Sequence, residues 1–174
     1  ILFEPTPSDR PPPVTVIGTK FPLAAILGIC AVTLFAAICF YIPIVQNGFL
    51  LNAIGIRSPQ IIGLAGAAGA IANLLGSAAF VALNRYGHNR TCSLSFVLMG
   101  AGLMIVSFAG TLPVFVAGGI VSAFGSGILI PTLVNWALSK LRFEQRGRGV
   151  GLWQAAFWLG QFVGPLVVLA VMPA

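Results

Sequence analysis

Long uncharged stretches dominate the pattern of apolar and polar residues along the chain. Five of them are long enough to cross a hydrocarbon layer of roughly 30 Å as a helix that rises about 1.5 Å per residue. Strands with open edges are excluded, because lipid offers no hydrogen-bond partner to their backbone. The pattern therefore predicts five transmembrane helices, over residues 21–45, 59–83, 91–109, 113–138 and 150–172.

The placement of the charged residues supports these spans. Only 7% of the residues are charged and 58% are hydrophobic, and every charge lies outside the five stretches. In soluble domains about a quarter of the residues are charged. A charge placed in the bilayer centre costs a few kcal/mol. We therefore expect an all-α, polytopic transmembrane bundle over residues 21–174, preceded by a cytoplasmic, proline-rich linker over residues 1–20.

Lysine and arginine indicate how the bundle is oriented. The first twenty residues carry two of them, the loop over residues 84–90 two, and the loop over residues 139–149 four. These three segments alternate onto one side of the five spans, and the other side holds only Arg57. Basic loops stay in the cytoplasm, so the N-terminal segment is predicted to be cytoplasmic.

Two other classes of protein fit the sequence poorly. A net charge of +6 is typical of nucleic-acid binders, but here the bases lie between apolar runs rather than on one water-exposed face, so no nucleic-acid partner is expected. A membrane-embedded enzyme would need a nucleophile with a base, paired acids or metal ligands at membrane depth. The single histidine, His88, lies in a loop, and no span contains Asp or Glu. We expect no enzyme activity, catalytic residue, cofactor or metal.

The outer end of the first span is rich in polar and helix-interrupting residues. Tyr41, Gln46 and Asn47 surround Pro43 and precede Gly48, so the helix is expected to bend or unwind there. The freed backbone groups and the two amides would then face a substrate cavity, as in the discontinuous helices of transporters. A plain helix end with polar residues at the membrane interface is the alternative, and the sequence leaves both open.

Polar residues in the fourth and fifth spans are further candidates for contact with a solute. Gln154, Trp158 and Gln161 follow one another at intervals of four and three, which places them on one helical face. Intramembrane amides prefer an aqueous cavity or a bundle interior to lipid, although an interhelical hydrogen bond would also explain them. Asn135 lies one turn beyond Pro131, and Trp136 beside it is interpreted as an interfacial anchor.

Glycine and alanine leave one surface of the second span nearly bare, so another helix can approach it closely. Asn73, Ser77 and Asn84 lie along that surface at helical spacing and could form hydrogen bonds across the contact. Static packing and a sliding contact between moving halves are both compatible with this pattern.

Three stretches resemble the C-terminal half of a major facilitator superfamily transporter, from the central loop through the seventh to the eleventh helix. Pro59-Gln-Ile-Ile-Gly63 resembles the start of the eighth helix. Residues 84–90 resemble the second copy of the cytoplasmic Asp-Arg-x-Gly-Arg-Arg loop, and residues 144–151 with 160–165 resemble the segment after the tenth helix. Asn84 replaces the acid of that loop, and His88 and Asn89 stand where bases are usual.

The resemblance implies a secondary transporter that moves a small organic solute by alternating access between two six-helix halves. The first and fourth spans would line the cavity, and the second and fifth would contact the other half. Asn84, Arg85, Gly87 and Arg90 would form part of the cytoplasmic gate. We expect a fragment without the N-terminal half and the twelfth helix, located in a cell membrane, the bacterial inner membrane. A non-transporting membrane subunit or sensor is the alternative.

Overall fold

The structure, a computed structural model, describes residues 21–171, so the predicted linker over residues 1–20 lies outside the described residues. Two short 3-10 turns, at Asn84–Tyr86 and Phe143–Gln145, interrupt the connections between the helices. Five helices are long and apolar enough to cross a membrane, and no strand occurs in this part of the chain, which confirms the predicted all-α bundle. They are α1 (Leu23–Ala53), α2 (Pro59–Leu83), α3 (His88–Ser107), α4 (Leu112–Ser139) and α5 (Arg146–Val171).

The first helix is longer and more regular than its sequence predicts. It continues past Val45 to Ala53 without interruption, and Pro43 lies inside it. The sequence predicted that the helix bends or unwinds there, and the continuous helix excludes unwinding. Proline removes one backbone hydrogen bond, whereas unwinding would expose several N–H and C=O groups to an environment without water.

Contacts between helices show their relative directions. Gly160 and Gly164 approach Leu34 and Ile38 in the same order, so α1 and α5 are parallel. In the contacts of α2 with α4, residue numbers increase in the same direction along both helices, so these two helices are also parallel. In the contacts of α3 with α4 they increase in opposite directions, so that pair is antiparallel. Each short connection thus reverses the chain. We call the end that carries residues 84–90 and 140–148 the basic end, and the end that carries residues 54–58 and 108–111 the far end.

Helix α4 is the central helix, with α2 and α3 packed against it, while α1 packs mainly against α5. Glycine makes both arrangements possible. A Cβ atom added at Gly160 would lie 2.6 Å from the carbonyl oxygen of Leu34, and one added at Gly127 would overlap the carbonyl of Asn73. Close backbone approach of this kind is how apolar helices gain dispersion contact in lipid.

Hydrogen bonds join α2, and the 3-10 turn that follows it, to α4. Asn73 Nδ2 donates to Ser126 Oγ at 2.9 Å, and Ser77 Oγ donates to the carbonyl oxygen of Gly127 at 3.0 Å. Nearer the basic end, Asn135 Nδ2 donates to Asn84 Oδ1 at 2.9 Å. The prediction that Asn73, Ser77 and Asn84 form hydrogen bonds across a helix contact is confirmed. We call these two helices the α2–α4 pair.

A buried apolar cluster joins the helices in the half of the bundle nearer the basic end. It takes residues from α1, α3, α4 and α5, namely Ile29, Ala36, Cys92, Met99, Leu129, Leu133, Ala137 and Trp153. This basic-end core links the α1–α5 pair to the α2–α3–α4 group. Helix α1 packs far less closely against α2 and α4 than against α5.

Candidate functional site

The space beside α1 is a cavity of about 550 Å³, within the range usual for small-molecule sites. It lies in the half of the bundle nearer the far end, above the basic-end core, and we call it the four-helix cavity. The helices α1, α2, α3 and α4 all line it. Its lining residues are Phe40, Pro43, Ile44, Asn47, Leu50, Ala65, Gly66, Gly69, Ala70, Asn73, Met99, Leu103, Val106, Phe115, Val116, Gly119, Ser122, Ala123 and Ser126.

The polar groups of the cavity fall into two sets. Asn73 Nδ2 and Ser126 Oγ are already engaged, since Asn73 donates to Ser126 and Ser126 donates to the Ala123 carbonyl at 2.8 Å. Within the described part of the chain, no hydrogen bond involves the side chains of Asn47 or Ser122, and none reaches Asn73 Oδ1. These groups remain available to a bound molecule.

Charge is absent from the lining of the four-helix cavity, which consists of apolar residues, glycines, two asparagines and two serines. Helix α1 supplies one wall, and the hydrogen-bonded α2–α4 pair supplies the opposite one. The two walls approach each other where a Cβ atom added at Gly66 would lie 3.9 Å from Asn47 Nδ2. The cavity can therefore hold an apolar molecule and offer it a few unpaired hydrogen-bonding groups.

Of the residues predicted to contact solute, Asn47 lines the four-helix cavity. Tyr41 and Gln46 are half-buried on the same helix but do not line it. Asn135 is paired with the side chain of Asn84, toward the basic end. Asn47 and Asn135 therefore do not belong to one site, since Asn47 lines the cavity and Asn135 lies toward the basic end.

The amide and indole groups of α5 form a separate surface. Gln154 and Trp158 are exposed and Gln161 is half-buried, and none of them lines the four-helix cavity. Trp158 stacks edge-on against Phe157, at 6.0 Å between ring centroids. The polar stripe of α5 therefore faces outward from the five-helix bundle.

Three polar residues of the cavity lining were not among the predicted site residues: Asn73, Ser122 and Ser126. Asn73 was predicted only to form a hydrogen bond between helices, and the two serines lie among the glycines of α4. The small residues of α2 that were interpreted as a packing surface also border the cavity, since Gly66 and Gly69 line it. Open space beside a glycine was the signal that sequence reasoning missed.

The loop between α2 and α3 holds the four predicted gate residues. Gly87 has φ of 88° and ψ of 154°, a conformation that L-residues avoid, and it starts α3. The Arg85 guanidinium donates to Tyr86 Oη at 3.0 Å and lies 4.9 Å from the centre of that ring. Arg90 is exposed in the first turn of α3. Glycine at residue 87 thus makes the tight turn possible.

One buried donor of the basic-end core has no partner. Trp153 is 6% exposed, and its ring stacks on Phe157 with 5.7 Å between centroids. No hydrogen-bond acceptor in residues 21–171 reaches Trp153 Nε1. The indole is therefore held by apolar packing.

Comparison with known proteins adds one finding to this geometry. A family model described as Major Facilitator Superfamily matches residues 12–173, a stretch that includes all five helices. No curated protein and no solved structure matches the chain. The match agrees with the resemblance of the loop and helix motifs.

Proposed function

The chain belongs to the major facilitator superfamily, and on that premise we propose that it is part of a secondary transporter that moves a small organic solute by alternating access. Secondary transporters bind their solute near the bilayer midplane, between structural repeats that rock against each other. The observation that carries the proposal is the family match over five apolar helices, four of which line an uncharged cavity. A non-transporting membrane subunit or sensor is the alternative, and it would need no aqueous pathway.

The orientation of the bundle is part of the proposal. Every basic residue of the described chain except Arg57 lies at the basic end or in the first turns of α3 and α5. By the positive-inside rule, the basic end faces the cytoplasm and the far end faces outward. We place the protein in a cell membrane, with the bacterial inner membrane as the expected one.

A second half of the transporter is the proposed partner of α2 and α5. The most apolar windows of these two helices are 11% and 17% buried, compared with 44% for α4. Large uncovered faces fit contact with lipid and with another helical half. The outward stripe of Gln154, Trp158 and Gln161 would then face the pathway between the halves, because amides avoid lipid.

The loop between α2 and α3 is the proposed cytoplasmic gate. Asn84 pairs with Asn135 on α4, so a movement of this loop is coupled to the central helix. Arg85 and Arg90 lie exposed at the basic end, where they can contact another half. Gly87 permits the turn that positions them.

Accessibility of α5 to water tests the transporter against the alternative. In a background without the three native cysteines, Gln154→Cys and Gln161→Cys are expected to react with a charged, water-soluble thiol reagent in membranes. Leu159→Cys is the matched control, because Leu159 is 52% exposed on a different face of the same helix. Labelling of the two glutamine positions but not of Leu159→Cys supports an aqueous pathway. Equal failure of all three positions to react would contradict transport along this face.

A further inference from the structure

We propose that the four-helix cavity binds an uncharged, mostly apolar molecule with one or two rings. This molecule hydrogen-bonds to the Asn47 amide and the Ser122 hydroxyl. This inference goes beyond the proposed function, because it assigns a ligand site to the interior of one five-helix unit. That site is separate from the pathway between the halves, which the outward stripe of α5 would face.

The lining of the cavity excludes a charged ligand. No lining residue carries a charge. A bound ion would lose its water without gaining a counter-charge from a side chain. Sugars are also disfavoured, because each buried hydroxyl needs a partner and few unpaired groups are present.

The unpaired polar groups of the cavity determine which hydrogen-bonding groups a ligand needs. The Asn47 amide can donate and accept, and the Ser122 hydroxyl can do the same. The two donors of Asn73 are not available, since Asn73 Nδ2 lies 2.9 Å from Ser126 Oγ and 3.4 Å from the Ala123 carbonyl oxygen. Asn73 Oδ1 can only accept. A molecule with one or two hydrogen-bonding groups, such as a phenol, an amine in its neutral form or an amide, meets this demand.

The apolar part of the cavity suits a flat ring. Phe40 from α1 and Phe115 from α4 contribute aromatic side chains to the lining, while Gly66 and Gly119 leave the space between the helices open. At about 550 Å³ the cavity is large enough for two fused rings with a substituent. Its floor is the basic-end core, where Met99 belongs to both. A ligand would therefore stop there until the core opens.

Two fluorescent probes that share one skeleton test the proposed class. N-phenyl-1-naphthylamine is uncharged and has one N–H, whereas 8-anilino-1-naphthalenesulfonate carries an added sulfonate. The full chain in lipid nanodiscs is expected to bind the first probe at least tenfold more tightly than the second, after subtraction of the signal from empty nanodiscs. Equal binding of both probes, or no signal above empty nanodiscs, would overturn the proposal. Binding in detergent but not in nanodiscs would show that lipid fills the cavity, and would overturn it too.

Glycine substitutions test whether the probe occupies the four-helix cavity. Gly66→Leu fills the cavity without a backbone clash, and Gly63→Leu places the same side chain one turn away, where nothing lies within 4 Å. Gly119→Leu and Gly100→Leu form a second such pair, on α4 and α3. The two cavity variants are expected to weaken binding of N-phenyl-1-naphthylamine at least tenfold, with no change for the two controls. Unchanged binding in either cavity variant that elutes as a folded protein would place the probe elsewhere and overturn the proposal.

The failure of this inference can be told apart from failure of the proposed function. Thiol labelling of α5 with no probe binding would leave a transporter without this additional ligand site. Probe binding that is lost on Gly66→Leu, together with unreactive Gln154→Cys and Gln161→Cys, would leave a binding site in a protein that does not transport. Asn47→Leu is expected to weaken binding of the uncharged probe several-fold. Asn52→Leu, on the same helix but outside the cavity, is expected to leave that binding unchanged.

Discussion

Ser77 supplies the hydrogen bond that Pro131 removes from α4. Proline has no N–H, so Pro131 cannot donate to the carbonyl four residues earlier, which belongs to Gly127. Ser77 Oγ lies 3.0 Å from that carbonyl oxygen, and it lies 3.1 Å from the Asn73 carbonyl in its own helix. A serine on α2 thus satisfies a backbone group that a proline on α4 leaves free, which binds the two helices together at the point where α4 is weakest.

This relationship predicts a coupled effect of two substitutions. Ser77→Ala leaves the Gly127 carbonyl without a donor in an apolar interior and is expected to lower the free energy of unfolding by about 1 kcal/mol. In a Pro131→Ala background the N–H of residue 131 can bond to that carbonyl, so the cost of Ser77→Ala is expected to fall to within about 0.5 kcal/mol of zero. Unfolding from bicelles by sodium dodecyl sulfate measures both costs.

Ser107→Ala is the control for the serine cycle, since that exposed hydroxyl bonds only to the Leu103 carbonyl of its own helix. It is expected to change stability by less than about 0.5 kcal/mol. An identical cost of Ser77→Ala with and without Pro131 would contradict the proposed relationship.

The pair of Asn84 and Asn135 predicts a second measurable coupling. Asn135→Ala removes a 2.9 Å hydrogen bond between the loop after α2 and the central helix. Hydrogen bonds between membrane helices contribute about 0.6 kcal/mol on average and up to about 1.7 kcal/mol. A double-mutant cycle with Asn84→Ala is expected to give a coupling energy in that range. Additive effects of the two substitutions, or an equal loss in the exposed control Asn89→Ala, would show that the pair does not hold the loop.

The unpaired indole N–H of Trp153 predicts that the substitution Trp153→Phe has little effect on stability. Its buried Nε1 has no acceptor within residues 21–171, so Trp153→Phe removes no hydrogen bond and is expected to change stability by less than about 1 kcal/mol. Trp153→Ala removes the packed ring from the basic-end core and is expected to cost about 3–5 kcal/mol. The exposed Trp158→Phe serves as a neutral reference. A loss above about 2 kcal/mol for Trp153→Phe would mean that the indole N–H has a partner.

The number and type of the helices could be predicted from the sequence because lipid imposes strict limits. Charges cannot lie in the hydrocarbon layer and backbone groups must be paired within a helix, so uncharged stretches reveal the spans. Helix ends are less constrained. Helix α1 extends to Ala53 because polar side chains such as Asn47 and Asn52 are tolerated near the interface, and α3 starts at His88 because Gly87 provides the turn.

The candidate site was harder to predict than the spans. Helical spacing shows which residues share a face, but it does not show what that face meets. Asn73 and Gly127 are far apart in sequence, and only the fold brings them into contact. The stripe on α5 was predicted correctly as one face, yet the four-helix cavity lies on the other helices, where glycine and serine gave no polar pattern that spacing alone could distinguish from packing.

The central claim is that the chain crosses the membrane five times with its basic end in the cytoplasm. The most direct test is to measure which side of the membrane each connection between helices faces. Single cysteines at Asn89, Glu144, Ser58 and Gly110, in a background without the native cysteines, would be exposed to a membrane-impermeant maleimide in intact cells. Ser58→Cys and Gly110→Cys are expected to react at once, and Asn89→Cys and Glu144→Cys only after the membrane is permeabilised. Reaction of Asn89→Cys and Gly110→Cys from the same side would contradict the account.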